Sequence, residues 1–486
     1  MLLESLAKEL VRVTSELVGG RTINIMNTEG YIIASTEPER IGTFHQGALE
    51  AVRTGKAVNI QRSELANYPG AKEGCNMSLR LDANKIMESA LHAALPDTAV
   101  AKALETARFG SGRLILVAAG KAAWQMAKAA SDKLEARIDC GVVITKYGHS
   151  MGPIAKLRIF EAGHPVPDEN SFRGAQAAID LVTGLTEQDT VLFLLSGGGS
   201  ALFEKPLIPE EDLSRLTKEL LACGADIVEM NTVRMRFSAV KGGKFAALCA
   251  PARVFAVVLS DIIGDPLDMI ASGPAYPDSS TSAQAKAIVK KYGLTMTPRM
   301  EELLDIETPK ALSNVETHIT GSVRQLCLAA AEACKELGYQ PITLTASLSC
   351  TARDAGVMLA NIAQYHENTE KSLAFILGGE TVVHLTGTGK GGRNQELALA
   401  AAPGIAGLKD TAVFSLGSDG TDGPTDAAGG YVDGESQNVL TQQGVDIFSV
   451  LQNNDAYHAL EKCHGLIKTG PTGTNVNDIS VLLIKR

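Results

Sequence analysis

The chain has 486 residues, 45% of them hydrophobic, which exceeds what one compact core usually holds and implies two or three domains. Its formal net charge of −10 excludes a general attraction to nucleic acid or to an anionic membrane, leaving a small-molecule partner captured by local charge. Its eight cysteines, at 75, 140, 223, 249, 327, 334, 350 and 463, form no CxxC pair and fit neither a zinc site nor a disulfide framework.

Residues 1–20 read as an amphipathic helix whose charges at Glu4, Lys8, Glu9 and Arg12 break any continuous apolar signal region. No window approaches the roughly 18 uninterrupted apolar residues of a membrane span, so a soluble, cytoplasmic protein with reduced thiols is expected. INIMN, a turn at Thr28-Glu29-Gly30, and YIIAS then read as a β-hairpin, followed by a loop and a short helix. From Leu81 the style changes: Asp82 is expected to cap a helix whose apolar positions are Ile86, Met87, Ala90, Leu91, Ala94 and Leu95. Strands at 113–119, 141–145, 157–162, 190–196 and 253–260 alternate with helices. Several are continuously apolar, as in parallel strands covered on both faces. The expected fold is a doubly wound α/β domain over 81–314. Residues 279–314 form a helical bridge to a second α/β domain over 315–486, opened by VETHIT and containing PITLTA, LAFILGG, a TVVHL hairpin partner, TAVFSLGS and ISVLLI. The cleft between the two is the default site.

Several segments could carry chemistry. Gly120-Lys121 follows a buried strand and opens a helix, where backbone N–H groups and a lysine favour an anion; a solvated first-turn lysine is the bland alternative. Ser196-Gly197-Gly198-Gly199-Ser200 spends folding entropy on three glycines, for a ligand or for a tight turn. Arg234, Arg236, Lys241 and Lys244 crowd sixteen residues of an acidic chain and could neutralise phosphates or form a solvated face. Asp261, Asp265 and Asp268 follow the strand 253–260, where a carboxylate could hold Mg²⁺ or accept a hydroxyl proton; helix capping is the bland alternative. Between Gly378 and Val432 glycine and aspartate concentrate, with Asp419, Asp422 and Asp426 in one run and Glu380 upstream, a second candidate metal region. GTGKGG (387–392) matches GxGxxG only formally. The preceding TVVHL is too short for the first strand of a dinucleotide unit, and no acidic strand end follows about 20 residues later. No Gly-Lys pair is followed by Ser or Thr, so the P-loop is excluded.

The ordered set VAAGKAAWQMA, AGHPVPDENS, LLSGGGSALF, NTVRMRFSAVKGGKFA, LSDIIGDPLDMIASGPAYPD, GGETVVHLTGTGKGGRNQELALA, GSDGTDGPTDAAGG and TGPTGTNVNDISVLL resembles type II glycerate kinases over residues 81–486. The C-terminal part of that family is the MOFRL domain. The resemblance implies a Rossmann-like kinase domain, ATP-dependent phosphorylation of D-glycerate at the 2-hydroxyl, and a divalent cation. It points to Lys121, Asp265 and Arg393 as catalytic residues. Together with the glycine, basic and acidic segments above, Gly197, Gly198, Gly199, Ser200, Arg234, Lys241, Gly391, Gly392 and Asn394 are expected to bind ATP, and Asp261, Asp265, Glu380, Asp419 and Asp422 to hold Mg²⁺. The family's VRKHLS is here Val233-Arg234-Met235-Arg236-Phe237-Ser238, so Arg236 is given no role.

Residues 1–77 resemble the first half of the sugar-diacid-recognition domain of carbohydrate-diacid regulators, through INIMNTEGYIIAS, EPERIGTFHQGALEAV and GAKEGCNM. Arg40 and His45 would meet a carboxylate in an intact module. Here the sheet is cut short, and the segment is read as a non-binding appendage with an open strand edge. The alternatives to a glycerate 2-kinase are a nicotinamide-dependent hydroxypyruvate reductase and a diacid sensor with a silent kinase body. Oligomeric state is left open.

Overall fold

The computed structural model describes residues 10–11, 24–29, 31–36, 40–45 and 77–486 apart from Asp261, Ile263, Asp265 and Pro266; side chains of the long segment are described from Leu79 onward. The chain divides into two compact units, residues 1–80 and 81–486. In the first, β1 (Asn24–Met26) and β2 (Ile32–Ser35) pair antiparallel, as the alternation in INIMN and YIIAS implies. Asn27 shapes the turn between them by accepting the Glu29 and Tyr31 N–H groups at 3.1 and 2.8 Å. The expected helices on either side of the hairpin fall largely outside the described residues.

The second unit begins within helix α1 (Met77–Ala93), and Asp82 does not cap it. Asp82 lies inside the helix and is buried, accepting hydrogen bonds from the Tyr339 hydroxyl and the Lys485 ammonium at 2.7 Å each. These partners lie more than 250 residues away, so the local pattern of a carboxylate before an apolar run was misleading.

Six strands follow: β3 (Leu114–Ala119), β4 (Cys140–Lys146), β5 (Leu157–Ala162), β6 (Thr190–Leu195), β7 (Arg253–Leu259) and β8 (Val315–Gly321). All pair in parallel, in the order β5-β4-β3-β6-β7-β8. Helix α2 (Ala123–Leu134) packs on one face with Leu116, Ala118, Leu192 and Phe255; α3 (Glu169–Val182) packs on the other with Val117, Ile144, Val191 and Phe193. Every residue of β3 and β6 is buried, which explains why their sequences are apolar without alternation. Strand β8 corrects the expected organisation: VETHIT closes the first sheet instead of opening the second. Residues 279–314 are an excursion of helices Ser282–Tyr292 and Pro298–Leu304, whose Ala285, Met300 and Leu303 join Met230, Val233 and Phe237 in a satellite core. The chain then returns to the same sheet edge.

Helix α4 (Val323–Glu336) leads into the second sheet, ordered β13-β12-β11-β14-β10-β9. Its strands are β9 (Gln340–Leu348), β10 (Leu373–Gly379), β11 (Thr411–Gly417), β12 (Gly429–Asp433), β13 (Leu466–Ile467) and β14 (Asp478–Ile484). Only β9 and β10 are parallel; β14 runs antiparallel between β10 and β11. Helices α5 (Ala352–Tyr365) and α6 (Arg393–Ile405) cover one face. TVVHL is not a hairpin partner of β10: only Val382 forms a bridge, to Thr351, and the segment continues as a loop. The fold is therefore α/β, with a doubly wound parallel domain, a second mixed-sheet domain and a small hairpin appendage.

Candidate functional site

In a doubly wound sheet, neighbouring strands whose crossovers leave toward opposite faces open a crevice at their carboxyl ends. Here that point lies between β3 and β6, and the two glycine-containing segments meet there. Gly120 ends β3 at φ +128°, a conformation open to glycine, and a side chain at this position would strike Ser196. The Lys121 N–H donates to the Gly197 carbonyl at 2.8 Å and the Ala122 N–H to the Ser196 hydroxyl at 3.1 Å, locking the two turns together.

Around this junction the structure gathers basic groups that lie far apart in sequence. Lys121 and Lys146, at the ends of β3 and β4, have no ion-pair partner among the described residues. His149 Nδ1 bonds the Lys121 carbonyl at 3.0 Å. His164, two residues past β5, sets its ring against Gly198: a Cβ on Gly198 would lie 3.0 Å from His164 Cδ2, 3.1 Å from its Nε2 and 3.1 Å from Lys121 Cγ. Gly198 also has φ +82°, so the glycine is required twice over. Burial, then the charges of Lys121 and Lys146 and the neighbouring His149, hold the His164 imidazole below its usual pKa and therefore neutral near pH 7. In an acidic protein, this is a built concentration of positive charge beside a backbone loop.

Beneath the loop, Lys241 is fully buried and ion-paired to Glu204, while its ammonium also donates to the Ser200 carbonyl at 2.6 Å. Lys241 thus supports the loop from below. Ser200 Oγ meets Ser272 Oγ at 3.1 Å, and the Ser272 hydroxyl donates to Asn231 at 3.1 Å. Arg234 is half-buried, and its Nε has no acceptor among the described residues. Arg236 is a structural residue: its buried guanidinium reaches Thr308 and Ser280 at 3.1 and 2.9 Å and pairs with Asp278 at 3.3 Å. Asp261 and Asp265 lie outside the described residues.

The second cluster lies at the carboxyl ends of β10 and β11, where the antiparallel β14 begins. Arg393, at the start of α6, donates from Nε and Nη2 to the two oxygens of Asp478 at 2.5 and 3.0 Å, and from Nη1 to Glu380 at 2.8 Å. Asp422 caps α6 by accepting the Asn394 and Gln395 N–H groups at 3.2 and 2.9 Å. Burial pushes its carboxyl up to about 6, against the pull of those hydrogen bonds. The Asn394 side chain is also internal, its carbonyl accepting from Ser415 at 2.5 Å. The acidic run is dispersed. Asp419 accepts from Thr421, while Asp426 bonds Tyr457 and Lys468 at 2.7 and 2.9 Å. Among the described residues, no three His, Cys, Asp or Glu side chains gather as a metal site.

The first part of the GTGKGG loop has its donors already engaged. Thr386 and Gly387 N–H donate to Asn454 Oδ1 at 2.7 and 2.9 Å, Gly389 N–H to the Asn453 carbonyl at 2.8 Å, and Lys390 N–H to Asp455 at 2.8 Å. Its glycines allow close packing on residues 453–456. Only Gly391, Gly392 and Arg393 keep N–H groups without an acceptor among the described residues. The engaged N–H groups of residues 386–390 leave this loop without the full set of donors that a dinucleotide cradle presents.

The sequence reading missed Lys146, His149, His164 and Asp478. His164 stands in AGHPVPDENS just beyond a parallel strand, a position that in α/β sheets faces ligands, so a signal existed. Asp478 stands where a strand begins, and only the antiparallel direction of β14 brings that end to Arg393.

Comparison with known proteins agrees with this architecture. The model described as Domain of unknown function (DUF4147) matches residues 82–305, the MOFRL family model matches 373–478, and a sugar diacid recognition model matches 2–90. The D-glycerate 2-kinase of Thermotoga maritima is 51% identical over 413 residues, covering 84% of this chain and 99% of the relative. A glycerate 2-kinase of Pyrococcus horikoshii is 40% identical over 392 residues, covering 77% and 88%. A relative from Agrobacterium vitis named as a hydroxypyruvate reductase is 39% identical over 390 residues, covering 77% and 100%. The crystal structure of a Thermotoga maritima glycerate kinase superposes with a TM-score of 0.80, covering 84% of this chain and 99% of that one. The chain belongs to the glycerate kinase family whose C-terminal part is the MOFRL domain.

Proposed function

We propose that this enzyme is an ATP-dependent glycerate 2-kinase that converts D-glycerate to 2-phosphoglycerate with Mg²⁺. The observation that carries the reading is the pair of lysines, Lys121 and Lys146, without an ion-pair partner among the described residues, set against the Ser196–Ser200 loop at the switch point of an acidic protein. Phosphoryl transfer depends on positioning and charge stabilisation more than on covalent chemistry, and such a cluster supplies both. Lys121 and the loop from Gly197 to Ser200 bind phosphate oxygens, with Arg234 adding charge and Lys241 holding the loop from beneath. Arg393, backed by Asp478 and Glu380, supports the transferring group or the glycerate carboxylate, and the free N–H groups of Gly391 and Gly392 face the same ligand.

Mg²⁺ neutralises charge on the transferring phosphoryl group when it is bound. Glu380, Asp419 and Asp422 fit this cation poorly, because Glu380 is paired with Arg393 and Asp422 is consumed as a helix cap. Asp261 and Asp265 remain as the residues that would hold it.

A nicotinamide-dependent reductase finds little support. The turn after β3 reads Ala119-Gly120-Lys121-Ala122-Ala123, without the GxGxxG fingerprint, and β4 ends on Lys146 where an NAD site carries an acidic residue. The deciding assay supplies D-glycerate, ATP and Mg²⁺, with enolase added and phosphoglycerate mutase left out. Direct enolase consumption identifies 2-phosphoglycerate, and dependence on the mutase identifies the 3-isomer. Nicotinamide turnover with hydroxypyruvate and no ADP formation would instead establish the reductase.

A further inference from the structure

His164 is the one basic group of the switch-point cluster for which neither anion binding nor loop support gives an account. Lys121 and Lys146 carry fixed positive charge, and His149 is tied to the Lys121 carbonyl. The His164 ring has no hydrogen-bond partner among the described residues and keeps part of its surface open. Its Nε2 edge faces Gly198, in van der Waals contact range of the loop and beside the Lys121 stem. A ring placed there only for packing would not need to be an imidazole, and a ring placed to bind anions would be kept charged. Burial first, and then the surrounding basic groups, instead disfavour its protonated form.

We propose that His164 is a catalytic residue, the proton acceptor for the substrate hydroxyl that attacks the terminal phosphorus of the nucleoside triphosphate. In this step the substrate O–H bond breaks and its proton passes to the unprotonated ring nitrogen of His164. The oxygen forms its bond to phosphorus, and the bond from phosphorus to the departing nucleoside diphosphate breaks; the imidazolium then returns its proton to solvent. Lys121 serves both ends of the arrangement, binding phosphate and keeping the neighbouring imidazole free to accept. The inference rests on the kinase reading above and adds to it the identity of the base.

The test uses the full chain with D-glycerate, ATP and Mg²⁺. His164→Gln is expected to lower kcat by about 10²-fold or more while the KM values for both substrates move by less than about threefold, since general-base catalysis typically contributes 10²–10⁴-fold. His164→Gly, which opens space where the ring stood, is expected to regain at least about tenfold in kcat on addition of imidazole; a packing role gives no such rescue. A kcat for His164→Gln within about threefold of the parent enzyme overturns the proposal. So does a kcat loss in His164→Gly that imidazole leaves untouched while the thermal midpoint stays within about 2 °C of the parent. If His164→Gly does not fold, the His164→Gln kcat decides alone. A parent enzyme that makes no phosphoglycerate refutes the kinase reading itself and takes this inference with it, an outcome distinct from failure of the variants alone.

Discussion

Replacing Arg393 by alanine separates what this arginine does for the fold from what it does for the reaction. The Asp478 side chain is 7% exposed and that of Arg393 is 35% exposed, so the variant strands a nearly buried carboxylate that solvent reaches only from one side. Breaking a fully buried pair costs about 3–5 kcal/mol. With the pair open on the arginine side, about 2–3 kcal/mol is expected here. For a unit of about 400 residues, unfolding entropy near 2.1 cal/mol/K per residue converts this to a fall of about 3 °C in thermal midpoint. Adding Asp478→Asn removes the stranded charge, and the double variant is expected to recover more than half of the lost stability, a coupling of about 1.5 kcal/mol. Turnover should not follow: both Arg393→Ala and the double variant are expected to lose about 10²–10³ in kcat, the usual cost of one electrostatic contact to a transition state. Denaturant unfolding and the enolase-coupled assay, run on the two single variants and the double, read both quantities. Strictly additive stability losses would refute the structural pairing. Recovery of turnover in the double variant would show that Arg393 matters only as a counter-charge to Asp478.

Gly198→Ala places a methyl group against His164 and Lys121 at a φ of +82°; the backbone conformation alone costs about 1–2 kcal/mol, and the displaced loop should lower kcat/KM by about 10²-fold, read in the same assay. Asp189 lies at the opposite end of the first sheet and accepts hydrogen bonds from the Arg113 and Thr186 N–H groups at 2.7 and 2.8 Å, which hold its carboxyl below the usual range. Asp189→Asn is expected to lose about 1–2 kcal/mol at pH 7 without loss of turnover. Because the folded-state pKa is depressed, this stability is present above about pH 4 and is lost as pH falls through the folded value; the gap between parent and variant in thermal midpoint should therefore narrow below about pH 4. Asn454→Ala removes the acceptor of the Thr386 and Gly387 N–H groups and the donor to His384, freeing the GTGKGG loop; a loss of about 2–3 kcal/mol is expected in denaturant unfolding.

Much of the architecture was legible in the residues. The runs LILVAA, TVLFLL and RVFAVVL are too uniformly apolar to be anything but buried, and alternation with helical segments made them parallel. Gly120-Lys121 and Ser196–Ser200 could each be placed at the end of such a strand, while their meeting was decided by the sheet order that sets β3 beside β6. Other features were not legible for identifiable reasons. Asp82 carries the local pattern of a helix cap, yet its partners Tyr339 and Lys485 come from the far end of the chain. Asp419, Asp422 and Asp426 look like one carboxylate cluster in sequence, but the turns between them send each to a different partner.

The sequence by itself determined the buried strands, the glycine segments at their ends and the family, because burial on both faces and close backbone approach each demand a residue type at the position where they occur. Only the tertiary structure decided that VETHIT completes the first sheet and that β14 runs antiparallel between β10 and β11. An apolar strand records that it is buried but not which neighbour it pairs with or in which direction, since backbone hydrogen bonds are the same for every residue. That unrecorded direction brings Asp478 to Arg393, and the strand order β5-β4-β3-β6 brings His164 to Lys121.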